Sequence, residues 1–285
     1  MMFDYNETLE QARQRNIHDA LMEDIGTGDW TAKLVPNKRV QAQLIVRQAA
    51  VLCGVAWFDD TLHQLDPKAT VTWHCQEGDL MKADSMVCTI EADAQALLSA
   101  ERTGINFLQT LSWTATITRK YVHAIQGVSP NPKGCAVLDT RKTIPGLRQA
   151  QKYAVRIGGG ENQRLALWHG ILIKENHIAA AGSVSAAIKA AQTLNAGVTI
   201  QVEVENLTEL AEAIAAGAES ILIDNFTTEQ MTEAVTMTAG RALLEASGGI
   251  DLNQMRAIAA TGVDRISLGK LTKDINAVDF SLRIL

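Results

Sequence analysis

The chain has 285 residues, 47% of them hydrophobic and 20% charged, a composition that excludes a disordered, collagen-like or coiled-coil protein and is long enough for a large core. Its 26 basic and 32 acidic side chains leave a net charge of -6, so there is no global cationic field for a nucleic acid. The charge is uneven, however: residues 139–174 hold seven cations (Arg141, Lys142, Arg148, Lys152, Arg156, Arg164, Lys174) against Asp139 and Glu161, inside an otherwise acidic chain. A short basic block of this kind is what a pocket for a small, highly charged anion looks like in sequence.

In chain order, a helical start is followed by strand-like runs at residues 40–46, 71–75 and 86–90, bounded by turn residues such as Glu77-Gly78-Asp79. Leu97, Leu98, Ile105, Leu108 and Leu111 then recur at helical spacing, on a helix that carries Glu101 and Arg102. After about residue 135 short apolar strands alternate with Ala-rich helices, with strands ending near Asp139, Lys174, Glu203 to Glu205, Asp224, Glu245 and Leu268. The last of these fall 21 to 23 residues apart, a period of repeated βα units. An α/β class is indicated: an N-terminal α+β domain, then a parallel sheet, read as an incomplete α/β barrel in preference to an open doubly wound sheet. The four cysteines (Cys53, Cys75, Cys88, Cys135) are far apart and read as buried reduced thiols. No apolar stretch reaches the roughly 18 residues of a membrane span. The opening at residues 1–7 is too acidic for a signal peptide, so a cytoplasmic protein is expected.

In a parallel barrel, strand C-terminal ends surround one mouth, and the polar residues of this chain collect there. Ser247-Gly248-Gly249 and Gly269 come after the last two strands, where bare backbone N–H groups can cradle phosphate. Arg141, Lys142, Arg164 and Lys174 suit carboxylate and phosphate groups. Arg148, Lys152 and Arg156 recur every four residues after Pro145 and read equally as the exposed face of a helix. Gly158-Gly159-Gly160 reads as a helix stop or as a place of close backbone approach. Glu203 and Glu205 point to one side of their strand. With Asp224 they are candidates for a magnesium ion or for facing a developing positive charge. One of the two glutamates is expected to pair with a barrel lysine, Glu205 rather than Glu203.

Taken together, Asp139-Thr140-Arg141-Lys142-Thr143-Ile144-Pro145-Gly146-Leu147-Arg148, Leu172-Ile173-Lys174-Glu175-Asn176-His177, Val202-Glu203-Val204-Glu205-Asn206, Asp224-Asn225-Phe226 and Glu245-Ala246-Ser247-Gly248-Gly249-Ile250 strongly resemble quinolinate phosphoribosyltransferase, the carboxylating nicotinate-nucleotide pyrophosphorylase family. The likeness includes Glu101-Arg102-Thr103 and runs over nearly the full length. It implies an N-terminal α/β sandwich (residues 1–113), an incomplete α/β barrel (114–275), and a tail (276–285) that packs back on the sandwich. It also implies a homodimer in which each active site borrows from its partner's N-terminal domain. The implied reaction is quinolinate plus phosphoribosyl pyrophosphate giving nicotinate mononucleotide, pyrophosphate and carbon dioxide, with Mg2+, in NAD biosynthesis.

By position, the resemblance assigns Arg102 of the partner, Arg141 and Arg164 to the quinolinate carboxylates, with Thr140 and Gln163 also at the substrate. It sets Lys142 and Lys174 near the reacting centre, Glu203 and Asp224 at the ribose and its metal, and Ser247, Gly248, Gly249, Ser267, Leu268 and Gly269 at phosphate. Two positions depart from the family's usual pattern: Gln163 and Asp274 stand where relatives commonly have histidine, and glutamine excludes a titrating role at 163. The alternatives are a transferase with a different acceptor and a non-catalytic anion-binding paralogue, against which retention of Glu203 and Asp224 counts. A biotin-carrier-like reading of Met81-Lys82 is weaker than that of an exposed lysine.

Overall fold

Hydrophobic patterning changes character along the chain, and so do the sheets it builds. The computed structural model describes residues 7–285; residues 1–6, most of the acidic opening, lie outside the described residues. The chain divides into two units, the first formed by the chain up to Arg119 with Thr143–Gly159 and Thr272–Leu285, the second by Lys120–Lys142 and Gly160–Leu271.

In the first unit α1 (Leu9–Ile25) starts at a capping box in which Thr8 and Gln11 satisfy each other's backbone N–H groups. The strands β1 (Arg39–Val46), β2 (Ala50–Val51), β3 (Thr70–Trp73), β4 (Leu80–Met81) and β5 (Ser85–Asp93) come after it, with α2 (Val55–Leu65) between β2 and β3. The 32-residue α3 (Ala94–Ile125) is next; the Asp93 carboxylate accepts the Ala96 N–H at its start. A four-stranded antiparallel sheet is ordered β12-β1-β5-β3, where β12 is the C-terminal strand Phe280–Ile284. Its apolar side, including Leu44, Val46 and Ile90, packs with Phe58, Leu62, Leu97 and Leu108 of α2 and α3. Each such side chain contributes about 1.5–3 kcal/mol of burial. The tail residues of β12 thus pair with β1. A boundary at residue 113 falls inside α3, which continues to Ile125 without a break.

The helix after the basic loop, α4 (Arg148–Ile157), groups with this unit too: Ala150 and Ala154 join a second cluster with Ile17, Leu21, Trp57 and Leu111. Its basic face is not wholly solvated, since Lys152 is 3% exposed. Gln151, Lys152 and Val155, on a different side of the helix from Ala150 and Ala154, are buried as well. Gly158 ends α4, and a Cβ there would lie 2.6 Å from both the Ala115 carbonyl oxygen and Thr118 Cβ, so close approach to α3 is its reason for being glycine. All four cysteines are free; Cys53 and Cys88 are buried, Cys75 and Cys135 partly so. Burial raises every thiol, that of Cys135 to about 12, and so disfavours the thiolate form.

The second unit is a six-stranded parallel sheet made of β6 (Ala136–Leu138), β7 (Gly170–Ile173), β8 (Thr199–Val204), β9 (Ser220–Asp224), β10 (Leu243–Ser247) and β11 (Arg265–Ser267). Its helices are α5 (Glu175–Ala181), α6 (Val184–Thr193), α7 (Leu207–Ala215), α8 (Thr228–Thr238) and α9 (Met255–Ala260), and the short α10 (Lys270–Lys273) spans the boundary after Leu271. The near-continuous burial of β9 and β10 is what a parallel sheet covered on both faces requires. The order β6-β11-β10-β9-β8-β7 runs the strands round in sequence and brings the first beside the last. Only the seam between β6 and β7 is left unpaired. There the segment after Gly160 enters, with Glu161 bridged in parallel to Leu138. This is an incomplete barrel, not an open doubly wound sheet, in which the strand order would reverse at a switch point.

Candidate active site

At the C-terminal ends of these strands, a cavity of about 340 Å3 is walled by Thr140, Arg141, Lys142, Gln163, Arg164, Lys174, Glu203, Ser247 and Ser267, with Leu172 and Leu222 as apolar contacts. Each is delivered by a strand end or by the segment at the seam. Thr140 to Lys142 come one residue after β6, and the Lys142 N–H bonds the Thr140 hydroxyl at 3.0 Å, turning the loop over the mouth. Lys174 is the residue after β7, Glu203 lies on β8, Ser247 ends β10 and Ser267 ends β11. Gln163 and Arg164 come from the segment that fills the seam.

Four cations line this cavity against two carboxylates, Glu203 and Glu245. The Arg164 guanidinium is pushed below its ordinary value first by burial and then by the charge of Arg141. One end of its fork is fixed, Nη1 donating to the Gly170 carbonyl oxygen at 2.8 Å. Arg141 Nε is buried without a hydrogen-bond partner, the mark of a donor waiting for an acceptor from outside the chain. Lys174 Nζ pairs with Glu203 at 3.0 Å.

That ion pair corrects the expectation for the two glutamates. Glu203, not Glu205, takes the barrel lysine. β8 stops at Val204, so Glu205 lies beyond the strand, exposed in the turn that leads into α7, where its backbone N–H bonds Glu209 at 2.9 Å. Side-chain alternation stops holding where the strand does.

A second cavity of about 550 Å3 shares Ser247 and adds Gly248 and Gly249, with Asn225, Thr227 and Thr228 at the head of α8. Gly248 has φ +131°, and a Cβ there would meet Asn225 Oδ1 at 2.5 Å, so the loop closes only on glycine. Asn225 itself is left-handed (φ 57°) and donates to Asp224 Oδ2 at 2.7 Å, orienting that carboxylate at the end of β9. Leu268 is buried and its N–H bonds the Leu138 carbonyl oxygen, so it offers position, not a side chain. Gly269 lies against Lys142, whose Cδ a Cβ would meet at 2.9 Å. Arg102 is exposed on α3 in the first unit, and Asp274, in the same unit, has its carboxylate 3.7 Å from Lys273.

Beneath the mouth lies a polar layer that sequence reading passed over. Glu245 is 1% exposed and Gln201 7%. Gln163 Nε2 donates to both Glu245 oxygens (3.1 and 2.9 Å) and to Gln201 Oε1 (2.8 Å), and Gln201 Nε2 donates to Glu245 Oε2 (2.9 Å). Buried Asp139 accepts the Gln163 N–H at 2.9 Å and the Asn162 amide at 2.6 Å. The available signal was a lone carboxylate in Leu243-Leu244-Glu245-Ala246 and a lone amide in Ile200-Gln201-Val202, each in an otherwise apolar strand core.

For a divalent ion, the described residues hold no group of three or more His, Cys, Asp or Glu side chains that could grip it. The donors present, Glu203 and Asp224, are hard oxygens at the ends of neighbouring strands. Hard oxygens of this kind are what magnesium takes from a protein, usually one or two carboxylates with the rest of its shell supplied from outside the chain.

A barrel whose strand C-terminal ends form a cation-rich mouth beside a glycine loop defines a class, the α/β-barrel proteins with sites suited to small anions. Within it, the chain matches the family models "Quinolinate phosphoribosyl transferase, C-terminal domain" over residues 114–283 and "Quinolinate phosphoribosyl transferase, N-terminal domain" over residues 29–112. It is 39% identical over 265 residues to a Bacillus subtilis protein named probable nicotinate-nucleotide pyrophosphorylase [carboxylating], covering 92% of this chain and 90% of that one. To the Mycobacterium leprae nicotinate-nucleotide pyrophosphorylase [carboxylating] it is 38% identical, with 95% and 96% covered. The solved Francisella tularensis nicotinate-nucleotide pyrophosphorylase superposes with a TM-score of 0.92 at 42% identity, covering 98% of each chain. The chain belongs to the quinolinate phosphoribosyltransferase family.

Proposed function

We propose that this protein is a quinolinate phosphoribosyltransferase: it moves the phosphoribosyl group of phosphoribosyl pyrophosphate to the ring nitrogen of quinolinate and releases one ring carboxylate as carbon dioxide. The products are nicotinate mononucleotide and pyrophosphate, in NAD biosynthesis. The observation that carries the reading is the convergence of Arg141, Lys142, Arg164 and Lys174 on one cavity that also holds Glu203. Quinolinate brings two carboxylates and the donor several phosphate charges, and both must be desolvated together; concentrated, preorganised cations make that possible.

In this scheme Arg141 and Arg164 grip the acceptor's carboxylates, and Arg102 of the partner subunit in a homodimer completes the clamp. Thr140 and Gln163 border the acceptor. Lys142 and Lys174 face the donor's anionic groups. When these charges arrive, Lys174 exchanges part of its pairing with Glu203 for contact with substrate. Glu203 and Asp224 then face the ribose carbon as pyrophosphate leaves, and they stabilise its positive charge more in the transition state than in the ground state. Ser247, Gly248, Gly249, Ser267, Leu268 and Gly269 hold phosphate through backbone and hydroxyl donors. Glu203 and Asp224 would also hold magnesium, which supplies charge neutralisation of the departing pyrophosphate.

Bond formation leaves the ring nitrogen quaternary. Loss of the adjacent carboxylate as carbon dioxide then leaves the bonding electron pair on a ring carbon next to that positive nitrogen, and a proton from water completes nicotinate mononucleotide. The protein's part is to orient and desolvate the carboxylate, so no dedicated acid or base is needed.

The test is pyrophosphate release from phosphoribosyl pyrophosphate with quinolinate, nicotinate or no acceptor. Release that depends on quinolinate supports the reading. Release with nicotinate but not quinolinate would establish the altered-acceptor alternative, and no release with either would point to a non-catalytic anion binder.

A further inference from the structure

We infer that Glu245 is a positioning residue for the acceptor: through Gln201 and Gln163 it sets the seat of Arg164. The inference rests on the function proposed above and adds to it residues for which that mechanism has no task.

A carboxylate accepts hydrogen bonds and donates none, whereas an amide can be turned end for end. Both oxygens of Glu245 accept from Gln163 Nε2, and Oε2 accepts from Gln201 Nε2 as well, so the NH2 ends of both amides must face inward. That choice forces the opposite end of Gln163 outward. Its Oε1 accepts the backbone N–H of Arg164 at 2.6 Å, while its own backbone N–H is held by Asp139 at 2.9 Å. The residue that carries the acceptor-gripping guanidinium is therefore pinned at its backbone by this network and at its fork by the Gly170 carbonyl oxygen. Glu245 is 1% exposed, deep enough that water does not compete for these bonds.

The same contacts give Glu245 a supporting task at the edge of the cavity. Each Glu245 oxygen is occupied by an amide donor, and the two glutamine side chains stand against it. A glutamine at 245 has one acceptor oxygen in place of two: turned to keep both 2.9 Å bonds, it still sets its NH2 group against Gln163 Nε2 at the 3.1 Å contact, and the shift this forces on Gln163 loosens its hold on Arg164.

The experiment compares wild type, Glu245→Gln, Gln201→Met and the double variant Gln201→Met/Glu245→Gln, both substitutions lying in the buried network. Steady-state KM for each substrate, kcat, and calorimetric binding of quinolinate are measured on the full-length protein. Glu245→Gln should raise the quinolinate KM about tenfold or more while leaving the phosphoribosyl pyrophosphate KM within about twofold. The double variant should raise the quinolinate KM no further than Glu245→Gln alone, within about threefold, because both changes act through one network, a coupling that independent structural losses do not give. Should Glu245→Gln fail to fold, Gln201→Met removes one amide partner at nearly constant volume and should shift the quinolinate KM alone, by about threefold. Equal changes in both KM values, no change in either, or losses that multiply in the double variant would overturn the inference. A wild-type protein that neither binds nor turns over quinolinate would overturn the proposed function and this inference together, whereas an active wild type with an unshifted Glu245→Gln overturns the inference alone.

Discussion

Replacing Glu203 with alanine separates transition-state stabilisation from binding and from folding. The Glu203 side chain is 12% exposed and 3.0 Å from Lys174, whose own side chain is 45% exposed. Removing the carboxylate leaves a lysine that water can solvate, so the loss of folding stability should stay at about 1 kcal/mol or less. The catalytic loss is larger. A unit positive charge developing about 4 Å from the carboxylate at an effective dielectric near 20 is stabilised by about 4 kcal/mol. Lys174 offsets part of this, which leaves about 3 kcal/mol, or a rate lower by about two orders of magnitude. Rapid-quench single-turnover assays at saturating substrates read the chemical step, calorimetry reads quinolinate affinity, and thermal melting reads stability. The expected pattern is a slow chemical step with near-normal quinolinate binding and melting. A single-turnover rate within about threefold of wild type would remove Glu203 from the chemistry and refute the charge argument.

Other perturbations probe separate parts of the molecule. If each site uses Arg102 of its partner, Arg102→Ala and Lys142→Ala proteins, each inactive alone, should recover about a quarter of wild-type activity on random subunit mixing, because half the dimers then hold one intact site; no recovery would mean that sites are not shared. Gly158→Ala places a methyl 2.6 Å from the Ala115 oxygen and Thr118 Cβ, and should cost about 1–3 kcal/mol in denaturant melts; an unchanged midpoint would show that the α3 and α4 backbones separate freely. Burial raises the Asp59 carboxyl from 3.8 to about 6 against the opposing hydrogen bond from Trp73. A raised acid favours the folded state while it is protonated, and that contribution is lost as pH climbs from about 4 through about 6. Asp59→Asn should therefore gain melting temperature relative to wild type over that window, and a difference independent of pH would contradict the assignment.

Much of the barrel was legible because parallel strands buried on both faces must be apolar runs, and the polar residue after each run then stands at the mouth. The expected ends near Asp139, Lys174, Asp224 and Leu268 fall within one residue of the observed ones, at Leu138, Ile173, Asp224 and Ser267. Where an end was misjudged, the chemistry moved with it. A strand taken to stop near Glu245 runs on to Ser247, which changes Glu245 from a rim residue into a buried acceptor. Extending the alternation of β8 past Val204 gave Glu205 the lysine that Glu203 holds. The basic block of residues 139–174 was legible as a charge excess but not as two populations. Arg141, Lys142, Arg164 and Lys174 line the cavity, while Arg148, Lys152 and Arg156 lie on α4, which groups with the other unit. Charge count carries no information on which unit a helix joins; the apolar face of α4 decides that. The Gln163–Gln201–Glu245 layer was out of reach for a related reason, because its hydrogen bonds join three distant stretches of sequence that only the closed barrel brings together.

Phosphoribosyl transfer and loss of a carboxylate are coupled, in this mechanism, by one cation-lined cavity. Quinolinate labelled in the carboxyl group next to the ring nitrogen, incubated with phosphoribosyl pyrophosphate, magnesium and the protein, tests that coupling most directly when labelled carbon dioxide and nicotinate mononucleotide are measured in the same samples over time. One carbon dioxide per nucleotide is expected from the earliest time point. A nucleotide that keeps both carboxylates, or carbon dioxide released without nucleotide, would contradict it.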